Sequence, residues 1–324
     1  MAAAVVLLAL AGCRGDAPAG EMSDADIIKV LDVKINKHPD DAELLFRRGT
    51  ALLREGRVNE AITDLARAAA LDGREYRYHM ALGDAYFANG DVEHSYGALQ
   101  DALALRPGST EAYLKMGEIA YYSRDYDRAM DNLGRVTAAE PDNRTALFMK
   151  GFIYKETGDT ANAAALLRKV CDLHPDYAPA FEELGVLYAR RQNPMAVEYL
   201  STAHRLDPAN TNVLYALAMY YQEGGRPDLA EEAYKGILDI DGGHKHAWHN
   251  RGYIQLFTYG DYGLAAEYLT RAIQSDSAFV EAWTNRGYAR HLMGDDALAG
   301  EDFRRALDID HTYQPAIDGL ASIR

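Results

Sequence analysis

The sequence is poor in cysteine, in positive charge and in long apolar runs. Only Cys13 and Cys171 occur in 324 residues, and their settings differ: the first closes an apolar segment, the second lies in a helical pattern, "LLRKVCDLHP". That argues against a disulfide framework, and Cys171 reads as a small, partly buried apolar residue. Lys and Arg number 34 against 49 Asp and Glu, a formal charge of −15, which disfavours nucleic acid and anionic lipid as general partners. The sequence also lacks G-x-x-x-x-G-K-[ST], H-E-x-x-H, G-x-S-x-G and C-x-x-C, so phosphate cradles, zinc hydrolysis, acyl transfer and dithiol chemistry have no signature. Acidic clusters such as "SRDYDRAMD" and "GDD" fit solvated faces and turns rather than paired catalytic carboxylates. No enzyme and no cofactor is expected.

What is present begins at the N-terminus. Residues Ala2 to Gly12 are all Ala, Val, Leu or Gly, about half of the ~20 residues that span a bilayer as a helix. The run fits the apolar core of a signal peptide over residues 1–12. "LAGC", Leu10 to Cys13, resembles the bacterial lipobox, although no Lys or Arg precedes the apolar run. The resemblance implies a lipidated Cys13 as the first mature residue, holding the protein to a membrane through several acyl chains. Arg14 stands where lipoproteins kept in the inner membrane typically carry Asp, which implies an outer-membrane, periplasm-facing location in a Gram-negative bacterium. Residues 13–23 mix Gly, Pro, Ala and charge without periodicity and read as a flexible tether. The embedded "RGD" is too short to imply adhesion.

A fixed period governs the rest. Gly49, Gly83, Gly117, Gly151 and Gly185 are spaced by 34, and Ala218, Gly252 and Gly287 follow at 33, 34 and 35. Pro39, Pro107, Pro141, Pro175 and Pro208 keep step, with Gly73 and Gly242 in turns that lack proline. Between these marks apolar residues recur at helical spacing, as in Tyr113, Met116, Ala120, Ala129, Leu133 and Val136. "GD" or "GR" pairs at Gly56, Gly90 and Gly158 sit where a helix needs a left-handed cap. Each unit is therefore helix, tight turn, helix, loop. A mid-helix glycine costs ~0.5–1 kcal/mol against alanine, and its return is close approach of the paired helix through alanines such as Ala61, Ala129, Ala163 and Ala230. "YARRQNPMAVEYL" is one residue short and "LFTYGDYGLAAEYL" one long; both read as turn-length variations, with Pro194 starting a second helix.

These copies resemble the tetratricopeptide repeat family. "EAWTNRGYARHLMGDDALAGEDFRRALDID" matches through Trp283, Gly287, Gly294, Ala299, Phe303 and Ala306, and a second copy does so through Trp248, Gly252, Ala265, Leu269 and Ala272. The expected fold class is all-α, a right-handed superhelical solenoid of helix-turn-helix repeats. It comprises an N-terminal half-repeat helix over 24–41, eight units over 42–311 and a C-terminal capping helix over 312–324.

In this family the first helices build the concave surface. Here that places Phe46, Met80, Phe87, Leu114, Tyr121, Phe148, Phe152, Tyr215 and Met219 along an aromatic and apolar groove, where a large patch marks a partner site. Toward the C-terminus the lining turns polar, with His246, His249, Asn250, Tyr253, Asn285, Tyr288 and His291 facing one region. A zinc site from His246, His249 and His291 has no supporting motif, and no metal is expected. Phe46, Met80 and Leu114 occupy positions where chaperone-binding members carry lysines, so a chaperone tail is not the expected ligand. The function implied by the resemblance is a lipid-anchored interaction scaffold holding a peptide or helix of a partner protein, in envelope assembly as in pilotins and wall-hydrolase adaptors. The alternatives are a cytoplasmic or inner-membrane adaptor without lipidation, and a non-catalytic, substrate-presenting subunit of an enzyme complex.

Overall fold

A computed structural model describes residues 22–323; the signal-peptide reading, Cys13 and the tether up to residue 21 lie outside the described residues. Eighteen α-helices and no strand occur among the described residues. The fold is all-α, built of antiparallel helix pairs. The chain divides into two compact units, one up to Asp159 and one from Thr160.

The first unit contains α1 (Asp24–Lys37), α2 (Ala42–Arg54), α3 (Val58–Leu71), α4 (Tyr76–Ala88), α5 (Val92–Leu105), α6 (Thr110–Tyr122), α7 (Tyr126–Ala139) and α8 (Arg144–Glu156). Side-chain caps begin most of them. Asp41 accepts from the Leu44 N–H, Asp91 from His94, Ser109 from Ala112, Asp125 from Arg128 and Asn143 from Ala146, each cap stabilising by about 1 kcal/mol. Between paired helices the backbone turns through the left-handed region, at Gly56 and Gly90 but also at Arg124 (φ 59°).

The periodic glycines are explained by leucine. A Cβ on Gly49, Gly83 or Gly117 would lie 2.7–2.8 Å from the Cγ of Leu65, Leu99 or Leu133, each wholly buried. The alanine expectation is thus corrected: Ala61 contributes a backbone oxygen 3.3 Å from the Gly49 position, but the tightest contact is the leucine side chain one helix away. These leucines join Tyr96, Met116, Ala129 and Val136 in continuous cores across the repeats.

The second unit contains α9 (Thr160–Leu173), α10 (Ala178–Ala189), α11 (Met195–Leu206), α12 (Thr211–Glu223), α13 (Pro227–Ile240), α14 (Lys245–Ile254), α15 (Tyr262–Ser275), α16 (Val280–Leu292), α17 (Asp296–Ile309) and α18 (Gln314–Ser322). The same lock recurs with Leu200 against Gly185, Leu269 against Gly252 and Phe303 against Gly287. Where the small residue is Ala218, the partner in the core is Tyr234, fully buried. Cys171 is buried and reduced, and burial pushes its thiol up to about 12.

Both length irregularities depart from simple turn variation. In the shorter copy α10 stops at Ala189 and Gln192 takes a left-handed φ of 50°; Pro194 stands immediately before α11 as its cap rather than in its first turn. In the longer copy the extra residue lies within the first helix, whose end widens into a π-turn, Gln255–Tyr259, closed by left-handed Gly260. Such widening is the usual way a helix absorbs one surplus residue, and it is often found at functional sites.

Candidate functional site

In the first unit the first helices of successive repeats lie side by side and share a run of rings. Phe46 is half-buried, 5.0 Å from the Tyr78 ring, with the Arg77 guanidinium 5.3 Å from its own ring centre. Phe87, Leu114 and Tyr121 are half-buried against the core. Phe87 and Tyr122 pair at 6.0 Å, Tyr121 meets Tyr122 at 5.4 Å and Phe152 edge-on at 6.4 Å, and Phe148 meets Phe152 at 5.3 Å. Met80 differs from these. It is 5% exposed and belongs to the core between repeats rather than to the wall.

Charged residues that sequence reasoning passed over sit among those rings. Asp84, Glu118 and Phe152 are successive steps of 34 along the chain and so share one column of the first-helix face. Lys115 donates to both oxygens of Asp84, at 2.7 and 2.9 Å, tying α6 to α4. Burial pushes the Asp84 and Glu118 carboxyls above their usual range against the pull of Lys115. Lys115 itself resists the downward pull of burial because Asp84 holds its charge. The signal was available in the register of the repeat, which puts these acids in line with Phe152.

In the second unit, the predicted polar residues separate into three groups. His249, Asn250 and Asn285 come together. The His249 Nδ1 lies 3.0 Å from Asn250 Oδ1, and Asn285 Nδ2 lies 3.0 Å from His249 Nε2. Asn250 Nδ2 then donates to the hydroxyls of Tyr234 (2.9 Å) and Tyr215 (3.3 Å), and Tyr234 donates to Gln222 Oε1 at 2.9 Å. Both His249 contacts are satisfied if the ring is neutral with its proton on Nδ1, donating to Asn250 and accepting from Asn285. Burial lowers the His249 pKa, consistent with that form. Met219 lies beside this network, its sulfur 3.2 Å from the Tyr234 hydroxyl. His246 and His249 both pack on the Phe279 ring, at 5.2 and 4.9 Å.

Tyr253 forms a second group with a residue not foreseen, Phe257. Their rings are 4.6 Å apart, and they are 41% and 54% exposed; the π-turn carries Phe257 and the equally exposed Tyr259. Tyr288 and His291 are committed elsewhere: the Tyr288 ring stands edge-on to Phe303 and its hydroxyl donates to the Pro315 carbonyl at 2.7 Å, while His291 Nδ1 is 2.5 Å from Asp296. The three histidines considered for zinc are therefore not gathered, and among the described residues no group of three or more His, Cys, Asp or Glu is placed to hold a metal ion. The site offers rings, hydrogen-bonding edges and a few charges, groups suited to contact with a chain segment.

The tetratricopeptide repeat profile matches residues 35–75, 46–110, 114–178, 184–245 and 256–313. Among solved structures, the C-terminal part of a repeat-containing protein from Cytophaga hutchinsonii is similar over 76% of this chain and 99% of that one, with 20% identity and a TM-score of 0.66. A tetratricopeptide repeat protein from Parabacteroides merdae is similar over 76% of this chain and 98% of that one, with 16% identity and a TM-score of 0.54. No curated protein matches the chain. At these identities the two structures bear on fold alone, but the repeat profile spans well over half of the sequence: the chain belongs to the tetratricopeptide repeat family.

Proposed function

We propose that this protein is a non-catalytic scaffold, anchored to the outer membrane through a lipid on Cys13 and facing the periplasm, that holds a segment of a partner protein on the faces built by its first helices during assembly of an envelope complex. The observation that bears most weight is the pair Tyr253 and Phe257: two rings packed 4.6 Å apart at a tilt on a first helix, each more than 40% exposed. Aromatic groups of this kind give large contact area at low entropic cost and are favoured as interface anchors. The anchor reading rests on "LAGC" following an uncharged run, and no described helix is long and apolar enough to cross a membrane by itself.

Two measurements test the reading. A photoreactive phenylalanine analogue at Tyr253 gives a discrete crosslinked adduct in the native envelope, whereas the same group at exposed Arg271, on the second helix α15, does not; equal labelling at both removes the case for this face. Mass spectrometry of the mature protein finds an acylated Cys13 at the N-terminus, and recovery of an unmodified Met1 would overturn the anchor. The ring test is best made with Tyr253→Ala and Phe257→Ala, because Tyr288 also supports the C-terminal helix through Pro315.

A further inference from the structure

The first-helix face of the unit ending at Asp159 is lined by rings, yet two carboxylates and one ammonium are set within it. Lys115 is the cation that acts on both acids, and it is committed to Asp84 through both carboxylate oxygens. Glu118, one turn further along α6, is half-buried and has no hydrogen-bond donor among the described residues. Its carboxylate is therefore without a bonded counter-charge, in a place where burial already disfavours the ionised form. Beside it stand Tyr122, 41% exposed, and the Phe87 ring paired with it at 6.0 Å. The rings of this face can take a cation: Lys155 places its ammonium 3.9 Å from the centre of the Phe152 ring.

Resting on the reading of this face as a partner site, we infer that the segment bound in this unit is a peptide presenting a lysine or arginine flanked by apolar residues, its cation seated between Glu118 and the Phe87–Tyr122 rings. Charge complementarity selects this occupant. An acidic segment would bring a third carboxylate beside Asp84 and Glu118, and the chain as a whole already has a formal charge of −15. A wholly apolar segment would strip the remaining water from Glu118 and leave its charge uncompensated. A basic residue supplies the missing counter-charge, while its apolar neighbours cover Leu114, Tyr121 and Phe152. The lysine nearest these acids, Lys115, is held by Asp84 and so is not free to grip an acidic tail.

The test uses the full chain and a phage-displayed random dodecapeptide library. Selected clones are enriched in Lys or Arg beside apolar residues, and a synthetic peptide of the consensus binds with an affinity that falls about tenfold when its basic residue is replaced by citrulline. Glu118→Gln, which keeps the side chain's size, lowers affinity for the parent peptide by a similar factor, and combining the two changes adds little further loss. The citrulline comparison uses the unaltered protein, so the inference is exposed to refutation even if the variant is poorly folded. Clones without basic enrichment, or binding indifferent to both citrulline and Glu118→Gln, overturn the basic-segment inference and leave the partner-site reading standing. Failure to select any peptide overturns both.

Discussion

The leucine-against-glycine contact makes an opposed pair of predictions within one repeat. Gly83 lies in the middle of α4 and Gly97 in the middle of its partner α5. A methyl group at residue 83 would fall 2.8 and 2.9 Å from Cγ and Cδ2 of Leu99 and 3.4 Å from the Ser95 backbone oxygen, whereas one at residue 97 meets nothing within 4 Å. Leu99 is wholly buried, and Ser95 is bound to the Gly83 carbonyl at 2.8 Å, so neither neighbour yields readily. Both substitutions gain the same helix propensity, about 1 kcal/mol over glycine. Only Gly83→Ala also meets an overpacking cost of about 1–3 kcal/mol. Gly97→Ala is therefore expected to stabilise by up to about 1 kcal/mol, and Gly83→Ala to destabilise by as much as about 2 kcal/mol. Because the propensity gain is common, the difference between them isolates the steric effect. Urea titration followed by helical circular dichroism reads both midpoints. Shifts of the same sign and similar size would show that leucine does not explain the glycine period.

Other expectations follow from the polar contacts and the backbone. Asp302, 1% exposed, neutralises Arg286 and Arg290 at 2.7 and 2.8 Å; Asp302→Ala should cost about 3–5 kcal/mol by stranding a buried guanidinium, while loss of the exposed Arg57–Glu60 pair should leave the urea midpoint unmoved. Burial lowers the His249 pKa below its ordinary 6.5, against the opposing influence of Asn250 and Glu281 and with help from His246. The unfolded chain then takes up the proton first, so stability is full above about pH 6.5 and falls as pH drops through and below that value; His249→Gln should flatten the urea-midpoint profile between pH 7.5 and 5. Cys171 should resist iodoacetamide at pH 8 until denaturant is added, since its thiol is buried and held near 12. Arg124→Gly should stabilise by about 1 kcal/mol, seen in thermal melts, because arginine at φ 59° carries a left-handed penalty that glycine avoids.

The helix pairs were legible in the sequence because the residue that marks them is a steric necessity. A leucine pressed against a backbone leaves room for glycine and for no larger side chain, and that restriction repeats in most copies. The surplus residue near Gln255 was legible only as a count; nothing in "LFTYGDY" distinguishes a longer turn from a widened helix, since hydrogen-bond register leaves no mark in side-chain type. Met80 was read with Phe46 and Leu114 because all share a position in the period, yet at that position a flexible thioether can turn into the seam between helices. Asp84 and Glu118 could have been found from the same period, by asking which charges interrupt a column of rings. The division after Asp159 falls between the two helices of one copy, where composition does not change.

The π-turn at Gln255–Tyr259 bears on how such a chain can acquire new contacts. In a repeating array each copy touches mainly its neighbours, so a surplus residue taken up inside one helix end need not propagate: α15 follows in the usual place, with Leu269 pressed on Gly252 as elsewhere. The insertion is spent on turning Phe257 and Tyr259 to the outside, each at least half exposed. One copy can thus gain a local aromatic handle while its neighbours keep their spacing, a route by which near-identical building blocks become individually addressable.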